Sequence, residues 1–286
     1  MKLLKILRGA FCITYISILL IVINIVQLAS LLLLPLNRRW FMLYNMGCQH
    51  FFCATAIHAT RLCGNRITTS GDVLRQENAL LFSNHQTAVD IVLIWTLSLE
   101  SKTSSWVRWF AKDVLKYVPG VGWGLMFTNT VFLKRNWAKD ANSIAATFAR
   151  LRNGKVPTWL MIFPEGTRAT PEKLAKSQAF AASKRLPHLE HVLVPRSKGI
   201  HSSLQGLQGS LSAVYDLTIQ FNGKIPTALE YFTVGNFVSH VHIRRYDIKD
   251  VPTRERDLNT WLVNVFYEKD LRMIESFSGA TVQPSV

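Results

Sequence analysis

Residues 78–99 of this 286-residue chain, NALLFSNHQTAVDIVLIWTLSL, carry the clearest indication of its architecture. The first five letters form a short apolar run that predicts a buried strand, and the last ten predict a helix. A buried strand, a polar loop and a helix in this order are typical of α/β proteins, whose functional side chains lie beyond the carboxyl ends of the strands. The loop SNHQTAVD, residues 83–90, is therefore the first candidate for a functional site.

Strands and helices continue to alternate along the rest of the chain. This order predicts the α/β class, with a mainly parallel central sheet flanked by helices. We predict a helix for residues 138–154, where Gly154 suits a C-terminal cap, and an amphipathic helix for residues 253–277. The further predicted strands are SWVRWF (105–110), TNTVFLK (128–134), TWLMIF (158–163), HVLVP (191–195), AVYDLTIQF (213–221) and HVHIRRYDI (240–248).

An N-terminal membrane-anchoring helical segment is predicted, because no residue between Arg8 and Arg38 is charged. This run exceeds the roughly 20 residues that cross a bilayer core and the about 7–15 apolar residues of a signal peptide. The next apolar segment, residues 40–60, contains polar interruptions, so a second span, a re-entrant helix and an interfacial helix all stay open. The predicted divisions are an anchor (1–62), an α/β domain (63–250) and a C-terminal amphipathic helix with its tail (251–286).

The chain is strongly basic, with 33 Lys and Arg against 18 Asp and Glu and a net charge of +15. Such an excess favours nucleic acid, a phospholipid surface or a phosphorylated substrate as partner. The predicted anchor favours anionic lipid, and no nucleic-acid-binding motif is recognisable. The four cysteines lie in the first quarter of the chain without a C-x-x-C pair. That pattern is typical of neither a zinc site nor a disulfide framework, and it fits a reducing compartment or a membrane segment.

His85 and Asp90 are the candidate catalytic pair. A loop histidine can meet an acid in the first turn of the following helix, and the carboxylate then fixes the imidazole tautomer and leaves the other ring nitrogen as a base. Ser83 lacks the G-x-S-x-G surroundings of an activated serine, so we predict that the base deprotonates a substrate hydroxyl that attacks an acyl carbon. Two alternatives stay open: a loop histidine beside an ordinary first-turn acid, and a metal pair, which the lack of a third ligand disfavours.

Three further loops carry candidate cations. In FPEGTR, residues 163–168, Gly166 lets backbone N–H groups approach an anion, and Arg168 offers a planar fork suited to phosphate. The alternative there is a polar turn with an internal Glu165–Arg168 pair. Arg135 lies at the end of a predicted strand, where a solvated basic turn is the usual interpretation. Lys112 precedes a Pro-Gly turn, as a surface lysine or as a cation aimed at developing negative charge.

These motifs recur in one order: His-x4-Asp, VFLKR, FPEGTR and VLVP. In this order and spacing the chain resembles the 1-acylglycerol-3-phosphate acyltransferase family of lysophospholipid acyltransferases, from about Asn78 to Tyr246. His-x4-Asp alone is a weak signal, whereas the four blocks together are highly specific. The stretches VPGVGWGLMFTNTVFLKRNW, VLVPRSKG and AVYDLTI look most like the eukaryotic branch that acts on lysophosphatidic acid, lysophosphatidylinositol or lysocardiolipin.

The resemblance implies a catalytic role for three residues. His85 resembles the general base of the family, and Asp90 the carboxylate that orients it. Lys112 resembles a lysine proposed to lie near the reacting carbonyl. The implied donor is an acyl thioester, acyl-coenzyme A, which acts as a co-substrate, and its thiol leaves readily as thiolate. The resemblance implies no cofactor, no metal and no covalent acyl-enzyme.

The same resemblance implies an acceptor-binding role for two loops. Glu165, Gly166, Thr167 and Arg168 match the acceptor-binding block of the family. Arg135 matches the basic residue of the second block, which is proposed to hold the glycerol phosphate. The expected partners are therefore a lysophospholipid, acyl-coenzyme A and membrane lipid, and the oligomeric state stays open.

The implied function is a membrane-bound enzyme that acylates the sn-2 hydroxyl of lysophosphatidic acid to give phosphatidic acid. Another lysophospholipid acceptor, such as lysophosphatidylinositol, lysophosphatidylglycerol or lysocardiolipin, is the first alternative. A non-catalytic protein that binds anionic lipid is the second, but lipid binding would need only the cations, not the His85–Asp90 pair. The branch resemblance favours the endoplasmic reticulum, and a bacterial inner membrane stays open.

Overall fold

A computed structural model describes residues 2–134 and 137–277 of the chain. In this part, seven strands form one sheet and nine α-helices surround it. The strands are β1 (Arg66–Gly71), β2 (Ala79–Ser83), β3 (Val107–Lys112), β4 (Val131–Leu133), β5 (Trp159–Ile162), β6 (Ala213–Phe221) and β7 (Val238–Asp247). The helices are α1 (Lys2–Ala29), α2 (Arg38–Leu62), α3 (Val89–Glu100), α4 (Val121–Phe127), α5 (Trp137–Asn153), α6 (Pro171–Ser183), α7 (Lys198–Gly206), α8 (Ala228–Thr233) and α9 (Glu255–Phe277). Short 3₁₀ helices cover Ser30–Leu33, Asp113–Tyr117 and Ile248–Asp250.

The strand order across the sheet is β1-β7-β6-β2-β5-β3-β4. Neighbouring strands are parallel except for β6 and β7, which pair antiparallel. The predicted α/β class and mainly parallel sheet are therefore confirmed. Because β2, β3, β5 and β6 run in one direction, their carboxyl ends lie at one edge of the sheet, which we call the carboxyl edge. Loops from distant parts of the sequence meet at this edge.

The core lies on both faces of the sheet, since successive side chains of a strand point to opposite sides. In β2, Leu80 and Phe82 belong to the same buried cluster as Phe266 of α9. Leu81 belongs to the cluster on the other face, which includes Leu93 of α3. The C-terminal helix thus completes the core of the α/β domain.

The strand predicted for residues 191–195, HVLVP, is wrong. This stretch is extended, but side chains rather than a neighbouring strand accept its backbone hydrogen bonds. The N–H groups of His191, Leu193 and Val194 donate to Asp270, Glu165 and Ser177, respectively. Pro195 has no N–H to offer. A short apolar sequence cannot reveal this difference, because apolar side chains are equally buried in either case.

The N-terminal apolar segments form two antiparallel helices. The Cys12 thiol of α1 contacts the Ala59 carbonyl of α2 at 3.6 Å, and the Tyr44 hydroxyl of α2 donates to the Val26 carbonyl of α1 at 3.3 Å. Among the described residues, one stretch, Leu3–Leu33, is long and apolar enough to cross a membrane by length and composition. The segment that follows it turns back along α1.

The polar residues that interrupt the second apolar segment pack against the rest of the protein. The Gln49 amide of α2 donates to the carbonyls of Ser104 and Val107 at 2.8 and 3.0 Å. The His50 ring lies 2.7 Å from the Ser104 hydroxyl. These contacts fix the middle of α2 to the chain at the start of β3, so the polar interruptions serve protein packing.

Helix α1 follows the surface of the domain. A methyl group added at Gly9 would lie 2.5 Å from Thr233 Cα of α8, and one added at Gly124 of α4 would lie 3.8 Å from Gln27 Oε1. Gly9 and Gln27 are eighteen residues apart, which corresponds to about 27 Å along a helix. The domain therefore supports α1 over most of its length, while the remaining faces of α1 expose apolar side chains.

Candidate active site

The candidate active-site loop begins at Asn84, directly after strand β2. The Asn84 side chain makes the two hydrogen bonds to β6 that the backbone of another β2 residue would otherwise make. The Asn84 side chain donates to the Ile219 carbonyl at 2.9 Å and accepts from the Ile219 N–H at 2.8 Å. The backbone groups of β6 are thus satisfied although the chain of β2 has already turned away. This substitution of an amide side chain for backbone explains why Asn and His follow directly on a buried strand.

His85 and Asp90 lie in direct contact. His85 Nδ1 is 2.8 Å from Asp90 Oδ2, and the same oxygen accepts the N–H groups of Gln86 and Thr87 at 2.7 and 3.0 Å. Asp90 is fully buried in the first turn of α3, where the helix dipole favours a negative charge. A carboxylate accepts only, so the arrangement places a proton on Nδ1 and leaves Nε2 as the basic nitrogen.

The imidazole ring is held by an aromatic stack. The rings of His85 and Phe163 are nearly parallel with centroids 4.0 Å apart, and the Trp109 ring in turn stacks with Phe163 at a centroid distance of 6.4 Å. The His85 side chain is 16% exposed, and within the described part of the chain its Nε2 has no hydrogen-bond partner. The imidazole ring is thus oriented, with Nε2 left without a partner among the described residues.

Glu165 lies beneath the loop and is 3% exposed. Its Oε1 accepts the His85 N–H at 2.9 Å, and its Oε2 accepts the Leu193 N–H at 3.3 Å. Burial raises the pKa of Glu165 to about 8, although the two N–H donors oppose this shift. Through these contacts Glu165 joins the His85 loop to the chain at Leu193. Its acceptor-binding role stays a prediction.

The rest of the FPEGTR turn reaches the surface beside His85. Gly166 has a φ of +68°, in the region that favours glycine, and its N–H donates to the Phe163 carbonyl at 2.9 Å. The Ala169 N–H donates to the His85 carbonyl at 2.7 Å, which brings the preceding Arg168 to the same loop pair. Arg168 is exposed and has no ion-pair partner among the described residues, while the Lys173 ammonium donates to the Thr167 hydroxyl at 2.6 Å. The acceptor-binding roles of these residues stay predictions.

The other two predicted cations are Lys112 and Arg135. Lys112 is exposed at the carboxyl end of β3, and no direct contact with His85 is found. Arg135 lies outside the described residues. The described residues also contain no group of three or more His, Cys, Asp or Glu side chains that could hold a metal ion.

The sequence interpretation missed the contribution of α9. Asp270 accepts the N–H groups of Glu190 and His191, each at 2.7 Å, just before the loop that reaches Glu165. Lys269 is buried and donates to Asp216 at 2.5 Å and to the Leu217 carbonyl at 2.7 Å in β6. The adjacent charged residues Lys269 and Asp270 in an amphipathic helix are the one signal in the sequence. The groups that they bind cannot be read from the sequence.

Two models of known protein families match the chain. The model described as "Acyltransferase" covers residues 66–213, which contain strands β1 to β5 and the His85 and Glu165 loops. The model described as "Acyltransferase C-terminus" covers residues 232–280, which contain β7 and α9.

Similar proteins and a similar structure agree with these matches. The chain is 30% identical to "Probable 1-acyl-sn-glycerol-3-phosphate acyltransferase 5" of Arabidopsis thaliana, over 98% of this chain and 76% of that protein. It is 32% identical to "1-acyl-sn-glycerol-3-phosphate acyltransferase delta" of Homo sapiens, over 95% of this chain and 73% of that protein. The crystal structure of the 1-acyl-sn-glycerophosphate (LPA) acyltransferase PlsC from Thermotoga maritima matches with a TM-score of 0.59 at 19% identity, over 99% and 98% of the two chains. This last likeness concerns the fold.

Proposed function

Because the chain belongs to the 1-acylglycerol-3-phosphate acyltransferase family, we propose that it transfers a fatty acyl group from acyl-coenzyme A to the sn-2 hydroxyl of lysophosphatidic acid, giving phosphatidic acid. The names of the similar proteins support this acceptor. The observation that supports the chemistry is the His85–Asp90 contact at 2.8 Å, which leaves Nε2 of His85 without a partner among the described residues.

The proposed reaction is a direct transfer. Nε2 of His85 takes the proton of the sn-2 hydroxyl while the hydroxyl oxygen attacks the thioester carbonyl. Asp90 stabilises the imidazolium that forms, through the Nδ1–H hydrogen bond. The tetrahedral intermediate then breaks its carbon–sulfur bond, which releases the coenzyme as a thiolate and leaves the ester. The proton on His85 passes to the thiolate, so the base is ready for another cycle.

The proposed acceptor site is the surface of the FPEGTR turn. Arg168 supplies a guanidinium group that can pair with the phosphate of the acceptor, and its loop is bonded to His85 through Ala169. Arg135 is proposed as a second phosphate ligand and Lys112 as a cation for charge that develops on the carbonyl oxygen. Glu165 holds the loop from below.

The proposed location is a membrane, with the endoplasmic reticulum favoured over a bacterial inner membrane by the branch resemblance. The exposed apolar faces of α1 meet the bilayer, and the net charge of +15 suits an anionic lipid surface. Two substrates held at one surface gain in effective concentration and orientation, which contributes to the rate.

A panel of acceptors tests the proposal. The purified full chain is incubated with labelled acyl-coenzyme A and, separately, with lysophosphatidic acid, lysophosphatidylinositol, lysophosphatidylglycerol and lysocardiolipin. Ester formation on lysophosphatidic acid at the highest kcat/KM is expected. A higher value for another acceptor would replace the proposed substrate, and no transfer to any of them would refute the catalytic proposal.

His85→Ala tests the proposed base in the same assay. Loss of a positioned base is expected to lower kcat by about 10²–10⁴-fold, with the acceptor KM nearly unchanged. His58→Ala is the matched control, because His58 is an exposed histidine of α2, and this variant should keep wild-type kcat. Turnover of His85→Ala at the wild-type rate would remove the base from the mechanism.

A further inference from the structure

The segment that follows strand β3 exposes an unusual amount of apolar surface. It consists of the 3₁₀ helix Asp113–Tyr117, a Pro-Gly turn and α4 (Val121–Phe127), and we call it the 113–127 segment. Val114 is 62% exposed and Tyr117 73% exposed, far more than apolar and aromatic side chains in a protein core. The other exposed apolar side chains of the segment are Val118, Val121, Trp123 and Met126. Several exposed apolar side chains so close together in one segment indicate an interaction surface.

The patch adjoins the apolar surface of α1. A methyl group added at Gly120 would lie 3.1 Å from Leu20 Cδ2, and one added at Gly124 would lie 3.7 Å from Asn24 Nδ2. The 113–127 segment therefore packs directly on the second half of α1. Next to this contact α1 exposes Ile18, Ile21, Ile25 and Leu28. The exposed apolar side chains of the two elements thus form one surface.

The charges of the segment do not oppose burial in lipid headgroups. Its charged residues are Asp113 and Lys116, and their side chains pair at 2.8 Å. The Lys116 ammonium also lies over the Tyr117 ring, 4.9 Å from its centroid. Tyrosine and tryptophan are enriched at the depth of lipid headgroups because one end of each ring is apolar and the other polar. The chemistry of this surface fits a lipid bilayer.

Tight glycine turns hold the segment in a fixed shape. Gly120 has a φ of +79°, a conformation that favours glycine. A methyl group added at Gly122 would lie 2.2 Å from the Lys116 carbonyl oxygen, so this close approach requires glycine. The exposed Tyr117 and Trp123 side chains thus project from a segment whose backbone is tightly turned.

The segment begins at the carboxyl edge of the sheet, where the His85 loop also lies. Strand β3 pairs with β5, whose carboxyl end leads into the Glu165 turn. Within β3, the Trp109 ring stacks on Phe163, and Phe163 stacks on His85. A lipid contact at the 113–127 segment would therefore hold the catalytic loop next to the membrane.

We propose that the 113–127 segment is a second membrane-inserting element, which enters the bilayer surface beside α1 and holds the His85 edge of the sheet against the lipid. The biological use of this contact rests on the proposed function, since a lysophospholipid in the same bilayer then reaches His85 by lateral diffusion. The contact itself is a property of the surface and is measured without turnover.

Fluorophore labelling tests the insertion. Val114→Cys is made in a Cys48→Ala background, where the remaining cysteines Cys12, Cys53 and Cys63 are buried, and is labelled with an environment-sensitive dye. Val73→Cys is the matched control, because Val73 is a valine exposed to 77% that follows β1 at the opposite edge of the sheet. The full chains are bound to vesicles of phosphatidylcholine and phosphatidylglycerol, with and without lipids that carry a nitroxide quencher on the acyl chain.

The expected result is a blue-shifted Val114 label that the nitroxide lipids quench severalfold more strongly than the Val73 label. Equal quenching of the two labels would overturn the proposal. A blue shift that appears without lipid and grows with protein concentration would assign the patch to a second copy of the chain, which would also overturn it.

An activity measurement separates this proposal from the proposed function. Tyr117→Asp should lower the rate severalfold on an acceptor in vesicles but not on the same acceptor in detergent micelles, whereas Val73→Asp should change neither rate. Quenching of the Val114 label without any acyl transfer would leave the insertion standing and remove the proposed function. Acyl transfer without quenching of the Val114 label would support the proposed function and overturn the proposed insertion.

Discussion

Asp90 and Glu165 are two buried carboxyl groups at the same edge of the sheet, and they hold His85 in different ways. Asp90 contacts the imidazole ring and two N–H groups of its own loop. Glu165 contacts the N–H of His85 and the N–H of Leu193, and so joins two loops that are distant in sequence. Asp90 therefore holds the imidazole ring, whereas Glu165 holds the backbone that carries the ring.

The two carboxyl groups also differ in their electrostatic surroundings. Asp90 is fully buried and lies at a helix start, where a negative charge is stabilised. Glu165 has its pKa raised to about 8 by burial, so much of the population is protonated at neutral pH. Charge is needed beside an imidazolium, but a neutral carboxyl group can still accept main-chain hydrogen bonds.

Asp90→Asn should affect the chemical step most. The variant keeps the shape of the side chain but removes the charge that stabilises the imidazolium, so kcat should fall by about 10²-fold or more. The acceptor KM should stay near the wild-type value, because Asp90 does not reach the surface. Steady-state kinetics of the two proteins measure this split. A raised acceptor KM with a normal kcat would contradict the proposal that Asp90 stabilises the imidazolium of His85.

Glu165→Gln should act on stability and its pH dependence. An amide nitrogen facing the Leu193 N–H leaves a buried donor without a partner, which costs about 1–3 kcal/mol. The wild-type pKa is raised from 4.5 to about 8, so between these values the folded protein keeps a proton that the unfolded chain has released. The wild-type free energy of unfolding must then fall as pH rises through this window, whereas the glutamine has no such titration.

The measurement for Glu165→Gln is the unfolding midpoint in detergent at several pH values. We expect the wild-type protein to lose its advantage over the variant between about pH 5 and pH 8. A difference in unfolding midpoint that stays constant across this range would show that Glu165 is ionised throughout. Glu165 and Asp90 would then not differ in charge.

Arg168→Ala should weaken acceptor binding without removing the chemistry. An exposed ionic contact contributes about 1 kcal/mol, so the acceptor KM should rise by roughly five- to tenfold, and more if the guanidinium is bidentate. Arg75→Ala is the control, because Arg75 is an exposed arginine at the opposite edge of the sheet. Equal effects of the two substitutions on the acceptor KM would show that Arg168 contributes only to the net positive charge and does not bind the acceptor directly.

Arg61→Ala should have the smallest effect. Arg61 pairs with Glu100 at 3.2 Å, and both side chains are more than half exposed to solvent. Such a pair contributes at most about 1 kcal/mol to stability, and it does not contact the His85 loop. Thermal unfolding and kcat should both stay close to wild type. A large loss of activity would show that the packing of α2 on α3 controls the site.

The sequence predicted the parts of the site that are close together in the chain. The His85–Asp90 contact spans five residues, so one loop and one helix turn are enough to form it. Glu165 meets His85 across 80 residues, and Asp270 meets Glu190 across the same separation. The sequence showed that Glu165 follows a strand, but not that its carboxyl group turns inward. The strand predicted at 191–195 failed for the same reason, because its hydrogen-bond acceptors lie on distant elements.

The α/β class, the apolar N-terminal helix and the His85–Asp90 pair could all be predicted from the amino-acid sequence, because each depends on periodicity or on neighbours a few residues away. Three features required the folded structure: the inward direction of the Glu165 carboxyl group, the loops that α9 supports and the apolar side chains that stay exposed beside α1. These features arise when parallel strands bring their carboxyl ends to one edge, and the backbone groups that meet there must find partners once water is excluded.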